Sequence, residues 1–125
     1  MPEFAVILIE DSPAEVALAS AALALHSPRT RVLRALDLGG AIEILHREPA
    51  VLAILGRRAL MRSPKKLIRA LPAPAIGVAA GLPETARRKV LAAGVRAVYE
   101  RPMQWKQYSE LMGGLLKQWL ATRTA

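Results

Sequence analysis

The stretch Val6-Ile7-Leu8-Ile9-Glu10-Asp11-Ser12-Pro13-Ala14-Glu15 decides how this chain is read. Phe4–Ile9 is an unbroken apolar run that stops at two carboxylates, the pattern of a parallel strand buried on both faces. Ser12, Pro13 and Glu15 then open a helix. Serine is the N-cap, proline suits the first helical position, and a glutamate three residues after the serine completes a capping box. A buried strand feeding a capped helix is half of a βαβ unit.

Working outward, the same alternation continues. The Ala/Leu-rich helix runs to about His26, followed by a strand at 31–35 and a short helix at 39–46. Pro49 precedes a third strand at 51–55, after which come Gly56, Arg57 and Arg58. Ser63-Pro64 opens a short helix to about Leu71, and a proline turn leads into a strand at Ala75–Ala79. A helix at 83–93 closes on Gly94, a suitable left-handed cap, before a strand at 97–99. The last helix, about 104–121, buries Tyr108, Leu111, Met112, Leu115, Leu116 and Trp119 at helical spacing. Gly113-Gly114 inside it marks a tight packing contact. Strict alternation of five strands with five helices specifies a parallel sheet covered on both faces, one domain over 1–125. In such sheets the functional crevice lies beyond the carboxyl ends of the strands.

Composition removes several classes of function. With 125 residues there is room for one core, and with no cysteine there is neither disulfide, thiolate metal site nor catalytic thiol. Two histidines, His26 and His46, cannot make a histidine-rich metal site; a helix end or the surface suits them better. An aromatic content of 4% argues against base-stacking nucleic-acid modules. No apolar run is long enough to span a bilayer and the start lacks signal-peptide features, so no membrane role and a cytoplasmic location are expected. The net charge of +8 is lopsided: residues 1–55 hold 4 basic and 7 acidic side chains, residues 56–125 hold 14 and 3. A basic half fits either an acidic partner or a merely well-solvated surface.

The chain resembles the receiver domain of two-component response regulators. The resemblance rests on residues 6–13, similar to that family's strand, acidic pair and proline, and on residues 91–102, similar to its fourth helix end, fifth strand and lysine–proline turn. It implies a CheY-like, flavodoxin-like doubly wound sheet of strand order 2-1-3-4-5. It also implies that a phosphoacceptor aspartate should end the third strand, where this chain has Leu55 or, one residue on, Gly56. That position is vacant in either register. The family's hydroxyl residue falls on Ala79, its lysine on Arg101 and its switch aromatic on Val98, with Tyr99 beside it. The family's lysine–proline bond implies a cis peptide at Arg101–Pro102.

These departures imply a degenerate, non-phosphorylatable pseudo-receiver: not an enzyme, with no cofactor and no metal. Glu10 and Asp11 are an acidic-pair remnant, open to a two-carboxylate metal site or to neutralisation by arginine; the ligand count favours arginine. Arg101, or failing that Arg57 or Arg58, is expected to meet Asp11 or Glu10 as a charge lock. The expected partner is a signalling protein (a kinase, regulator or effector) or a second copy of the chain. It would engage a face that includes Arg87, Arg88, Val98 and Tyr99, with Trp105 or Trp119 as core residue or interface anchor. The alternative is a basic nucleic-acid-binding α/β domain, using the clusters around Arg57, Lys65 and Arg87.

Overall fold

In a computed structural model, which describes residues 4–124, five parallel strands form one sheet in the order β2-β1-β3-β4-β5. The strands are β1 (Phe4–Ile9), β2 (Thr30–Ala35), β3 (Leu52–Leu55), β4 (Ala75–Ala79) and β5 (Val98–Glu100). The helices are α1 (Pro13–His26), α2 (Leu38–Arg47), α3 (Arg57–Arg62), α4 (Lys65–Ala70), α5 (Glu84–Ala93) and α6 (Trp105–Thr124). This is the doubly wound order that the receiver resemblance implies.

Side-chain alternation along the central strands divides the core in two. Val6, Leu8, Leu52, Ile54 and Ile76 face α1 and α6, and pack with Leu23, Tyr108, Met112 and Leu116. Ile7, Ile9, Ala53, Leu55 and Ala79 face α2 through α5, and pack with Leu38, Leu60, Ile68 and Val90. The continuous apolar run at Phe4–Ile9 is thereby explained, since both faces of β1 are covered.

Six helices are described where five were expected. The segment after β3 is itself helical over Arg57–Arg62, and α4 follows as a separate helix. Pro64 enforces the break, because its ring holds Ser63 extended at ψ 133° and supplies no N–H. Gly77 lets α3 approach the sheet: a Cβ there would lie 2.8 Å from the Leu60 methyls. Asp37 caps α2, its carboxylate accepting the Gly40 N–H at 2.8 Å.

Gly94 closes α5 at φ 121°, a conformation that favours glycine. Gly113 is the tight contact expected within α6, where the His26 ring lies over it and accepts or donates to Ser109 Oγ at 2.9 Å. His26 thus joins α1 to α6 and is more than a helix end, while Gly114 faces open space. Among the described residues no helix is long and apolar enough to cross a membrane.

Candidate functional site

The register brings the chemistry to one end of the sheet. Ile9 pairs with Leu55 and with Ala35, and Ala79 pairs with Glu100. Backbone bonds then extend each strand by a residue: Glu10 N–H to Ala35 O, Gly56 N–H to Ile9 O and Arg101 N–H to Ala79 O, each 3.0 Å. Glu10, Gly56, Ala80 and Arg101 are therefore neighbours beyond the carboxyl ends. Glu10, Ala80 and Arg101 border a crevice of about 640 Å³ whose wall includes Asp11, Glu15, Arg58 and Arg62.

Leu55 does not face this crevice. Its side chain is fully buried on the α2–α5 side of the sheet. Gly56 lies beneath Glu10 and borders a small cavity on the α1–α6 side, together with Glu15 and Tyr108. A Cβ built there would overlap the Glu10 carboxylate, lying 2.8 Å from its Cδ. The Gly56 backbone, at φ −78° and ψ 179°, is open to any residue, so the one obstacle to a side chain is the movable carboxylate end of Glu10.

Glu10 is folded back over the strand end, where its Oε2 accepts the Ser12 N–H at 3.0 Å. Burial raises its carboxyl above the usual 4.5; the Ser12 N–H opposes this, and Asp11 and Glu15 add to it. Asp11 goes the other way. The Arg58 guanidinium donates to its Oδ2 at 2.7 Å and holds its carboxyl below the usual 3.8.

Arg58, and not Arg101, meets the acidic pair. Arg101 turns to Glu15, with Nε to Oε2 at 2.8 Å and its side chain 14% exposed. It also lies over the Tyr108 ring at 4.9 Å and donates to Pro102 O at 2.6 Å. Burial pushes the Tyr108 phenol up to about 12, so beside Arg101 it stays a neutral platform. The capping box is consequently only half made. Ser12 Oγ accepts the Glu15 N–H at 3.3 Å, but the Glu15 carboxylate is held by Arg101, and Glu10 takes the Ser12 N–H instead. The Arg101–Pro102 bond is trans, against the expectation from the resemblance.

Two further ties close the rim: Arg57 Nε donates to Ala80 O at 3.2 Å, and Gly81 N–H donates to Glu100 Oε2 at 3.0 Å. Ala80 and Glu100 stand at strand ends, where the sequence places the crevice, whereas Glu15 and Tyr108 were read from sequence only as a helix-cap and a packing residue. Glu15 carried a signal, its place in the first turn after β1, but the cap claimed it. Ala79 is buried and presents only a methyl to the site.

The expected interface residues separate. Arg87 and Arg88 are exposed on α5 and share Glu84. Val98 packs on the α5 side, whereas Tyr99 packs on the opposite side, where Trp119 Nε1 donates to its hydroxyl at 3.3 Å. Trp119 is thus a packing residue, while Trp105 is 45% exposed. Alternation along β5 makes this separation unavoidable.

The donors do not suit magnesium. One carboxylate is bound to a guanidinium and the other to a backbone amide, far from an octahedral oxygen set. Among the described residues no three His, Asp or Glu side chains gather where they could hold a metal ion.

Solved structures share this fold. A response regulator from Hahella chejuensis superposes with a TM-score of 0.81 at 15% identity, over 94% of this chain and 96% of that one. The phosphorylated cyanobacterial phytochrome response regulator RcpA does so at 0.74 and 20%, over 97% and 96%. A response regulator from Thermotoga maritima does so at 0.73 and 16%, over 96% and 99%. No protein-family model and no curated protein matches the sequence. The fold is that of response-regulator receiver domains, the CheY-like variety of the flavodoxin-like sheet.

Proposed function

We propose that this chain is a pseudo-receiver: a cytoplasmic protein-interaction module of two-component-type signalling that takes no phosphoryl group. The observation that carries this reading is at the end of β3. Leu55 or, one residue on, Gly56 stands where the receiver resemblance calls for aspartate; Leu55 is buried in the core, and the Glu10 carboxylate fills the volume a side chain on Gly56 would need. Phosphoryl transfer requires a positioned nucleophile, which glycine lacks. Ala79 brings no hydroxyl to hold a phosphoryl oxygen, and Arg101, at the lysine position, is engaged by Glu15.

In this reading guanidinium groups do the electrostatic work that a metal ion and a phosphoryl group do in a switching receiver. The Arg58–Asp11 and Arg101–Glu15 pairs hold β1, α1, α3 and β5 in one arrangement without a ligand. The module therefore binds its partner constitutively. That partner is a signalling protein or a second copy of the chain. The receiver fold of the neighbours supports the signalling role, and no catalytic step is assigned to the chain.

Intact-mass measurement after incubation with acetyl phosphate and magnesium tests the reading. The expected spectrum is that of the unmodified chain. A labile phosphoryl adduct on any carboxylate would overturn it.

A further inference from the structure

We propose that the face formed by α3, α4 and α5 binds duplex nucleic acid through its phosphate backbone. The proposal shares Met61 and Arg62 of α3 with the crevice wall but rests on α4 and α5, and it does not depend on the state of Gly56. Leu60, Ile68 and Val90 anchor the three helices to the same side of the sheet, and α5 packs against both α3 and α4. Their outer surface is a single continuous face.

The charge on that face is of one sign. From Gly56 to Pro83 the sequence has no acidic residue, and Glu84 is the one carboxylate on the three helices. Lys65, Lys66 and Arg69 of α4 are all exposed, as are Arg62 of α3 and Lys89 of α5. Among the described residues these five, with the exposed Arg96 after α5, form no salt bridge. Lys65 and Lys66 also occupy the first turn of α4, where the helix dipole disfavours cations and no acidic residue offsets them. Neither the fold nor the crevice accounts for them.

The character of the patch selects the partner. A protein partner needs a desolvated apolar or aromatic anchor. Of the exposed large hydrophobic side chains only Met61, 39% exposed, lies on these helices. Interfaces with nucleic acid are more polar and strongly positive, and they need no such anchor. There is no aromatic residue from Gly56 to Ala93, so unstacked bases have no platform and the contact is with phosphates, without sequence readout.

Fluorescence anisotropy of the whole chain with a labelled random-sequence DNA duplex tests this. Neutralising about six phosphates gives a slope of about −5 in log affinity against log salt. Lys65→Glu/Lys66→Glu/Arg69→Glu is expected to weaken binding about tenfold or more. Lys106→Gln/Lys117→Gln on α6, across the sheet, should stay within about twofold. If the triple variant does not fold, Arg69→Gln alone and the wild-type salt slope carry the test. No binding at low salt, or equal losses from the α4 and α6 variants, would overturn the proposal. So would a polyglutamate chain bound more tightly than the duplex, which would make the face a site for acidic polypeptides.

Discussion

Glu10 and Gly56 are a complementary pair, and their complementarity is a packing fact with a measurable size. Gly56→Ala forces the Glu10 carboxylate to swing away, losing its bond to the Ser12 N–H and part of its fit. The cost expected is roughly 1 kcal/mol, that of one hydrogen bond. In a Glu10→Ala background the same change should be near neutral, because the obstructing group is gone. A double-mutant cycle by urea unfolding measures the coupling, and additive effects would contradict the pairing.

Titration offers a second test at the residue scale. The Glu10 pKa is raised in the folded chain, so its contribution to stability is complete below about 4.5 and lost as pH rises through the folded value. Asp11 has the opposite sign, contributing above about 3.8 and losing that as acid protonates it and frees Arg58. As pH rises from about 4.5 into the neutral range the Asp11 contribution is already in place, so of these two groups Glu10 alone loses stability there. Wild type should therefore lose more stability over that interval than Glu10→Gln, read as the shift in urea midpoint. Equal shifts would show that Glu10 carries no burial penalty.

At the scale of elements, sequence legibility followed local chemistry. β1 and α1 were read with their ends correct, because a buried run, a carboxylate pair and a serine–proline cap are all local signals. α3 was missed. Its sequence, Arg-Arg-Ala-Leu-Met-Arg, buries Leu60 alone, too little for an apolar period, and the helix exists because Leu60 docks over Gly77.

The two adjacent glycines of α6 show the same division between local and tertiary causes. Both lower helix propensity, but only Gly113 has a neighbour, the His26 ring at 2.6 Å from a built Cβ. Gly114→Ala should raise stability by roughly 0.5–1 kcal/mol. Gly113→Ala should lower it despite the same propensity gain, and His26→Ala should restore the gain. Thermal unfolding of the three variants decides the matter; equal stabilisation by both alanines would contradict the interhelical contact.

For the whole molecule, the parallel topology was legible because it follows from alternation, while the strand order came from the receiver resemblance. The convergence of Glu10, Gly56, Ala79 and Arg101 was legible for the same reason, since all end or follow strands. Which arginine meets which carboxylate was not. Arg101 and Arg58 have similar reach, and the choice depends on the Tyr108 ring beneath Arg101 and on the helical turn that sets Arg58 beside Asp11. No spacing in the sequence encodes either.

The central claim is that the charged side chains of the crevice are already paired with one another and that the site does not respond to the chemistry that drives a receiver. Two-dimensional amide NMR of the uniformly 15N-labelled chain, with and without acetyl phosphate and magnesium, tests it most directly. The expected result is unchanged resonances for Glu10, Asp11, Gly56, Ala80 and Arg101 and throughout α5. Resonance shifts that begin at Gly56 and run through β4 and β5 into α5 would contradict it.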